Sequence, residues 1–227
     1  VQSRKIWDVL REKKKDFSCA NLFWWYNMHS SVDHSITPRP LYRADGFKSF
    51  DVHTQPMHLR EEIKADLGDF PFHGFWGPKA GIASSNWIAE SAKWTEEKHS
   101  PDLSLVYLPH LDYDLQRLGP NDPKISKALN EIDQVVGELI SFYEKRGIRL
   151  IILSEYGITE VKNVIYPNRV FRNKGWLSIK DELGLEYLDC GGSKAFTVTD
   201  HQVAHVYLQD ESPRFRKEVR NCLESME

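Results

Sequence analysis

The sequence lacks several features, and each absence removes a class of function. No apolar run approaches the ~18 residues that a membrane-spanning helix needs. No excess of positive charge is present: formal net charge is -3 and the pI is near 6.3. A basic surface for nucleic acid or anionic lipid is therefore not implied. Only three cysteines occur, Cys19, Cys190 and Cys222, an odd number without a CxxC spacing. They read as reduced thiols of a cytoplasmic protein rather than a disulfide framework. Internal repeats and low-complexity stretches are also missing.

What remains is an ordinary globular composition. Of 227 residues, 41% are hydrophobic and 28% charged, which suits one α/β domain or most of a larger one. The chain opens at Val1 without a Met and stops at Glu227 as an amphipathic stretch finishes, so it reads as a fragment, here taken as a single domain over 1–227. A targeting signal upstream of Val1 stays open.

Helical periodicity begins at Ile6, Trp7, Val9 and Leu10. Phe17 to Trp25 is a dense apolar run that predicts a buried strand. Asn27 to Gln55 carries turn residues and little periodicity, too long for an ordinary connection, and 27–80 is a candidate cap or site-lining insertion. Pro56 opens a predicted helix that Gly68 ends, and Ser84-Ser85-Asn86 offers a cap for the next. Leu103–Leu108 predicts a strand and a loop follows through Pro123. Ile125–Tyr143 predicts a long helix, Gly147 its end, and Arg149–Leu153 another buried strand. Strand, long helix, strand is a parallel crossover unit. Ala195–Thr199 and Val203–Leu208, around Asp200-His201-Gln202, predict a hairpin. The expected fold is α/β: a mostly parallel sheet flanked by helices, with a cap-like insertion and a C-terminal β-hairpin.

In open parallel sheets, ligands gather beyond the carboxyl ends of the strands. Two predicted strands end in polar residues that suit this: Tyr107 through Pro120, containing His110, Asp112 and Gln116, and Ser154-Glu155-Tyr156-Gly157. Carboxylates at adjacent strand ends can converge on one cation, as metal-assisted phosphoryl or acyl hydrolysis requires. Asn27, after the aromatic strand, and Arg39, in Thr37-Pro38-Arg39-Pro40, are candidate substrate contacts, Arg39 as a fork for phosphate.

These two segments resemble the type I phosphodiesterase/nucleotide pyrophosphatase family of the alkaline phosphatase superfamily. In that family one strand ends in Pro-Asp-x-x-Gly-His, soon followed by Gly-Pro. Another ends in Ser-Asp-His-Gly-Met after a long helix. Asp112 falls on the first metal aspartate, Gly119-Pro120 on the Gly-Pro, and Ser154 and Gly157 frame the second motif. The resemblance covers most of the chain. It implies an alkaline-phosphatase-like core, hydrolysis of small-molecule phosphate esters or phosphoanhydrides, and divalent metal ions (Mn²⁺, Mg²⁺ or Zn²⁺).

The sequence departs from that pattern at the ligands. Gln116 stands where the family has a histidine, and Glu155 and Tyr156 stand where it has Asp and His. Zinc favours imidazole, whereas an all-oxygen set favours a harder cation. His110, two residues before Asp112, would share its face if the strand extends that far, and His201 in the hairpin turn is a further candidate. The family's Thr or Ser nucleophile and a further metal aspartate are implied outside this chain. Three readings stay open: altered metal preference, a rearranged ligand set, or a non-catalytic binding or scaffold relative.

Overall fold

The computed structural model describes residues 3–226. The chain divides into two compact units, one running to Glu160 and the other starting at Val161. The molecule is mixed α/β, with a mostly parallel central sheet, flanking helices and antiparallel hairpins toward the C-terminus.

The first unit begins with α1 (Ile6–Lys13), followed by β1 (Cys19–Leu22), β2 (His34–Tyr42) and β3 (Lys48–Gln55). Next come α2 (Leu59–Leu67), α3 (Ile82–His99), β4 (Leu103–Val106), α4 (Asp112–Leu118) and α5 (Ile125–Glu144). The sheet order is β3-β2-β1-β4. β1 is parallel to both β2 and β4, and β3 returns antiparallel to β2. All four residues of β1 are buried, as expected of a parallel strand covered on both faces. Only His34, Ser35 and Ile36 of β2 pair with β1, so the remainder of the β2–β3 hairpin overhangs the sheet.

α3 crosses the middle of the core, with Ile88 and Ala92 wholly buried. It also carries buried hydroxyls, which bond to the helix's own carbonyls: Ser91 Oγ donates to Ile88 O at 2.7 Å and Thr95 Oγ1 to Ser91 O at 2.7 Å. This satisfies groups that burial would otherwise leave costly. Leu22, Ile36, Ile63 and the rings of Phe23, Phe70 and Phe75 share its core, and Trp87 of α3 meets Phe23 and Phe70 edge-on. α5 lies against α3, where the Tyr143 hydroxyl donates to Ala92 O at 3.3 Å.

Several sequence expectations shift. α2 starts at Leu59 rather than Pro56, because Pro56 and Met57 form a turn whose carbonyls accept from the Thr54 hydroxyl at 2.9 and 3.1 Å. α3 starts at Ile82 with Gly81 at its N-cap, which places Ser84 and Ser85 inside the helix. The segment read as a loop after β4 contains α4, whose first turn holds Asp112 and Asp114 next to the positive helix end. Among the described residues, Arg149–Leu153 forms no ladder with any strand. Its apolar side chains Ile151, Ile152 and Leu153 are 82%, 64% and 67% exposed. Apolar β-branched residues favour extended backbone, but a strand exists only where a neighbouring edge accepts its hydrogen bonds.

The second unit contains α6 (Pro167–Asn173), β5 (Ser178–Glu182), β6 (Leu185–Asp189), β7 (Ala195–Asp200), β8 (Val203–Leu208) and α7 (Pro213–Glu224). Phe171, Trp176, Ala195, Phe215, Val219 and Cys222 form its core. Proline in the first turn and the Ser212 hydroxyl, which accepts from Phe215 N at 3.3 Å, start α7. The β7–β8 hairpin falls where the sequence places it. The β5–β6 hairpin was not expected: its turn, Leu183-Gly184, takes positive φ at both residues, and leucine is not a residue that announces such a turn. Among the described residues no helix is long and apolar enough to cross a membrane.

Candidate functional site

The chain leaves β4 at Val106, and the Tyr107 amide adds one more bond to the sheet by donating to Leu22 O at 3.0 Å. Extended pairing stops there, so Asp112 and His110 share no strand face. His110 instead turns inward: its side chain is 5% exposed, with Nε2 3.3 Å from Glu131 Oε2 on α5. The contact is off-axis, and the ring nitrogen makes no aligned hydrogen bond. The backbone N–H of His110 donates to Ser85 Oγ on α3 at 3.2 Å.

Leu111 follows with φ 87° and ψ -33°. Such backbone costs of order 1–3 kcal/mol in a residue other than glycine and persists only where its surroundings hold it. The carbonyl of Leu111 accepts the first bond of α4, from Leu115 N at 2.9 Å. Asp112 opens the helix.

Both oxygens of Asp112 are engaged. The Tyr156 hydroxyl donates to Oδ1 at 2.6 Å, and Gln116 Nε2, one helical turn on, donates to Oδ2 at 2.9 Å. A second tie joins the same stretches of chain: Asn121 Nδ2 donates to Glu160 Oε2 at 3.0 Å. The Ser154 hydroxyl donates to Tyr156 O at 2.6 Å and closes the turn on which Glu155 stands. Glu155 is exposed. Its charge and that of Asp112 both act on the two tyrosines here. Burial, then Asp112, then Glu155 push the Tyr107 phenol above its ordinary range. Burial, the hydrogen bond to Asp112 and the two carboxylates push that of Tyr156 further still.

Tyr107 was not singled out in the sequence. At the end of an apolar run it reads as core, and its ring does lean on Trp25, with centroids 5.9 Å apart. The available signal was its place at the last residue of the ladder, where side chains begin to face the ligand end of a parallel sheet.

The remaining candidates have other partners. Asn27 is buried, and its Nδ2 donates to Asn21 O at 2.8 Å and Ile36 O at 2.9 Å, tying β1 to β2. Arg39 sits on the overhanging hairpin opposite Asp51, and its charge helps hold the His53 imidazole below its ordinary range, after burial. His201 belongs to the second unit, in the β7–β8 turn, exposed, with Nδ1 2.7 Å from Asp200 Oδ1.

Among the described residues no three His, Cys, Asp or Glu side chains converge as a metal site. A closed tetrahedral zinc site does not fit the donors present. Asp112 and Glu155, with the neutral side-chain oxygens of Tyr156 and Gln116, are donors of the kind that a hard cation takes.

Comparison with known proteins bears on this arrangement. A protein of Schizosaccharomyces pombe described as an uncharacterized pyrophosphatase/phosphodiesterase is 35% identical over 81 residues, covering 33% of this chain and 17% of that protein. The match thus spans about a sixth of that relative's length. No solved structure matches the chain. The family model for type I phosphodiesterase/nucleotide pyrophosphatase matches residues 1–222, and the chain belongs to that family.

Proposed function

We propose that the protein takes part in hydrolysis of phosphate esters or phosphoanhydrides, with Asp112 and Glu155 holding a hard divalent cation. The observation that carries this reading is the hydrogen bond from the Tyr156 hydroxyl to Asp112 at 2.6 Å, which brings the segment bearing Glu155 up to the first turn of α4. When bound, the cation would polarise phosphoryl oxygens and offset charge that develops on them. Tyr156 and Gln116 orient the Asp112 carboxylate through the bonds they donate to it. The raised phenols of Tyr107 and Tyr156 stay protonated near neutral pH, so both remain hydrogen-bond donors there. The nucleophile is read as a Thr or Ser outside residues 1–227, so these residues alone turn over no substrate.

A second reading is a non-catalytic relative. It is favoured by one observation: both Asp112 oxygens already accept hydrogen bonds within the protein.

Calorimetric titration of Mn²⁺, Mg²⁺ and Zn²⁺ into the full-length protein separates the two. Oxygen donors predict Mn²⁺ or Mg²⁺ binding in preference to Zn²⁺. Glu155→Gln removes a ligand charge and should weaken binding by at least the roughly tenfold that loss of an outer-shell partner costs. Zn²⁺ binding indifferent to Glu155→Gln defeats the proposed site. No binding of any of the three ions supports the non-catalytic relative.

A further inference from the structure

Four residues that the proposed chemistry does not use, Leu108 to Leu111, stand between Tyr107 and Asp112. The conformation of one of them decides where Asp112 points. Upstream, the His110 backbone N–H is bonded to Ser85 Oγ of α3, and its buried ring is packed beside Glu131 of α5. Downstream, α4 starts immediately, with Leu115 N bonded to Leu111 O. The direction in which α4 leaves is therefore set by the two dihedral angles of Leu111. At φ 87° and ψ -33° they lie where a leucine rarely goes. The Asp112 carboxylate that results meets the Tyr156 hydroxyl at 2.6 Å, from a residue 44 positions away.

We propose that Leu111 is a positioning residue: its positive φ, imposed by the anchored His110 on one side and α4 on the other, aims Asp112 at Tyr156 and at the cation. A backbone with negative φ at this position would turn α4 about its start and carry Asp112 away from Tyr156. The proposal rests on the metal reading above for the cation, but not for the Asp112–Tyr156 contact.

The test uses two substitutions that separate backbone from packing. Asparagine tolerates positive φ but is polar, whereas valine is apolar and β-branched and strongly resists positive φ. Leu111→Asn should keep Mn²⁺ affinity near that of the parent, even at some cost in stability. Leu111→Val should lose about tenfold in Mn²⁺ affinity, the scale of an outer-shell defect. If Leu111 merely packs, the order reverses, with valine tolerated and asparagine not.

A readout without metal accompanies it. With 3-fluorotyrosine at position 156, the fluorine resonance reports the bond to Asp112, and Asp112→Asn supplies the reference for its loss. Leu111→Val should move the resonance toward that reference, and Leu111→Asn should not. Parental fluorine shift and parental Mn²⁺ affinity in Leu111→Val overturn the proposal. If Mn²⁺ binding ignores Asp112→Asn, or none is seen in the parent, the metal reading fails while the fluorine shifts still judge Leu111.

Discussion

The Tyr156 hydroxyl donates to Asp112 Oδ1 at 2.6 Å across 44 residues of chain. That bond joins the start of α4 to the extended segment after α5, and the Asn121–Glu160 bond repeats the connection nearby. Together they hold in place a segment that no strand pairs with, and they bring the two polar stretches of the sequence to one place.

Tyr156→Phe removes one of these ties and leaves the ring. The bond has a charged acceptor, but Tyr156 is 52% exposed, so the loss should be about 0.5–1 kcal/mol, the low end of the range for a hydrogen bond. Urea unfolding measures it. An unchanged midpoint would show that water replaces the phenol at no cost. The substitution should perturb Mn²⁺ binding less than Glu155→Gln does, because a neutral phenol is a poor ligand.

Acid should weaken the first unit through a histidine pair. The rings of His34 on β2 and His99 on α3 stack with centroids 4.1 Å apart and planes 19° apart. Burial first lowers both pKa values. The charge of His99 lowers His34 further, His58 acts in the same direction on both, and Lys98 does so on His99. Asp33 opposes the shift at His34, and Glu62 at His99. Because the folded values lie below the unfolded one, the unfolded chain binds more protons in that interval. Stability is then full above about pH 6.5 and falls as pH drops through it toward the lowered values. Urea midpoints at about pH 7.5 and about pH 5 should differ less in His99→Phe than in the parent. Equal pH dependence in the two proteins would remove the pair from this role.

Ile88 tests the core. It is wholly buried on α3 among Phe23, Phe70 and Trp87. Ile88→Ala should cost about 2–5 kcal/mol, the transfer term plus the cavity left among rings that cannot collapse onto it. A cost below about 1 kcal/mol in chemical denaturation would mean that the aromatic cluster repacks.

Local pattern carried much of the fold. The 3.6-residue period of Ile125, Leu129, Ile132, Val136, Leu139 and Ile140 predicted α5, which runs from Ile125 to Glu144. The apolar density of Phe17 to Trp25 predicted a buried strand, and β1 takes up Cys19–Leu22 of that run. Asp200-His201-Gln202 between two apolar runs predicted the β7–β8 hairpin, which the structure forms. Each of these depends on residues within a few positions of one another, and that is why the sequence alone determined them.

Tertiary structure decided the rest. Arg149–Leu153 has the composition of a strand, but a ladder needs an adjacent edge, and composition does not supply one. His110 reads as a possible ligand two residues from Asp112, yet whether an imidazole faces a cleft or Glu131 depends on where α5 lies. Leucine at position 111 gives no sign of a positive φ, which its anchored neighbours impose. The sequence could mark Asp112, Glu155 and Tyr156 as candidates, because residue type and order are local facts. That Tyr156 touches Asp112 was decided by the path of the chain between them, since a contact 44 positions apart has no period for a sequence to display.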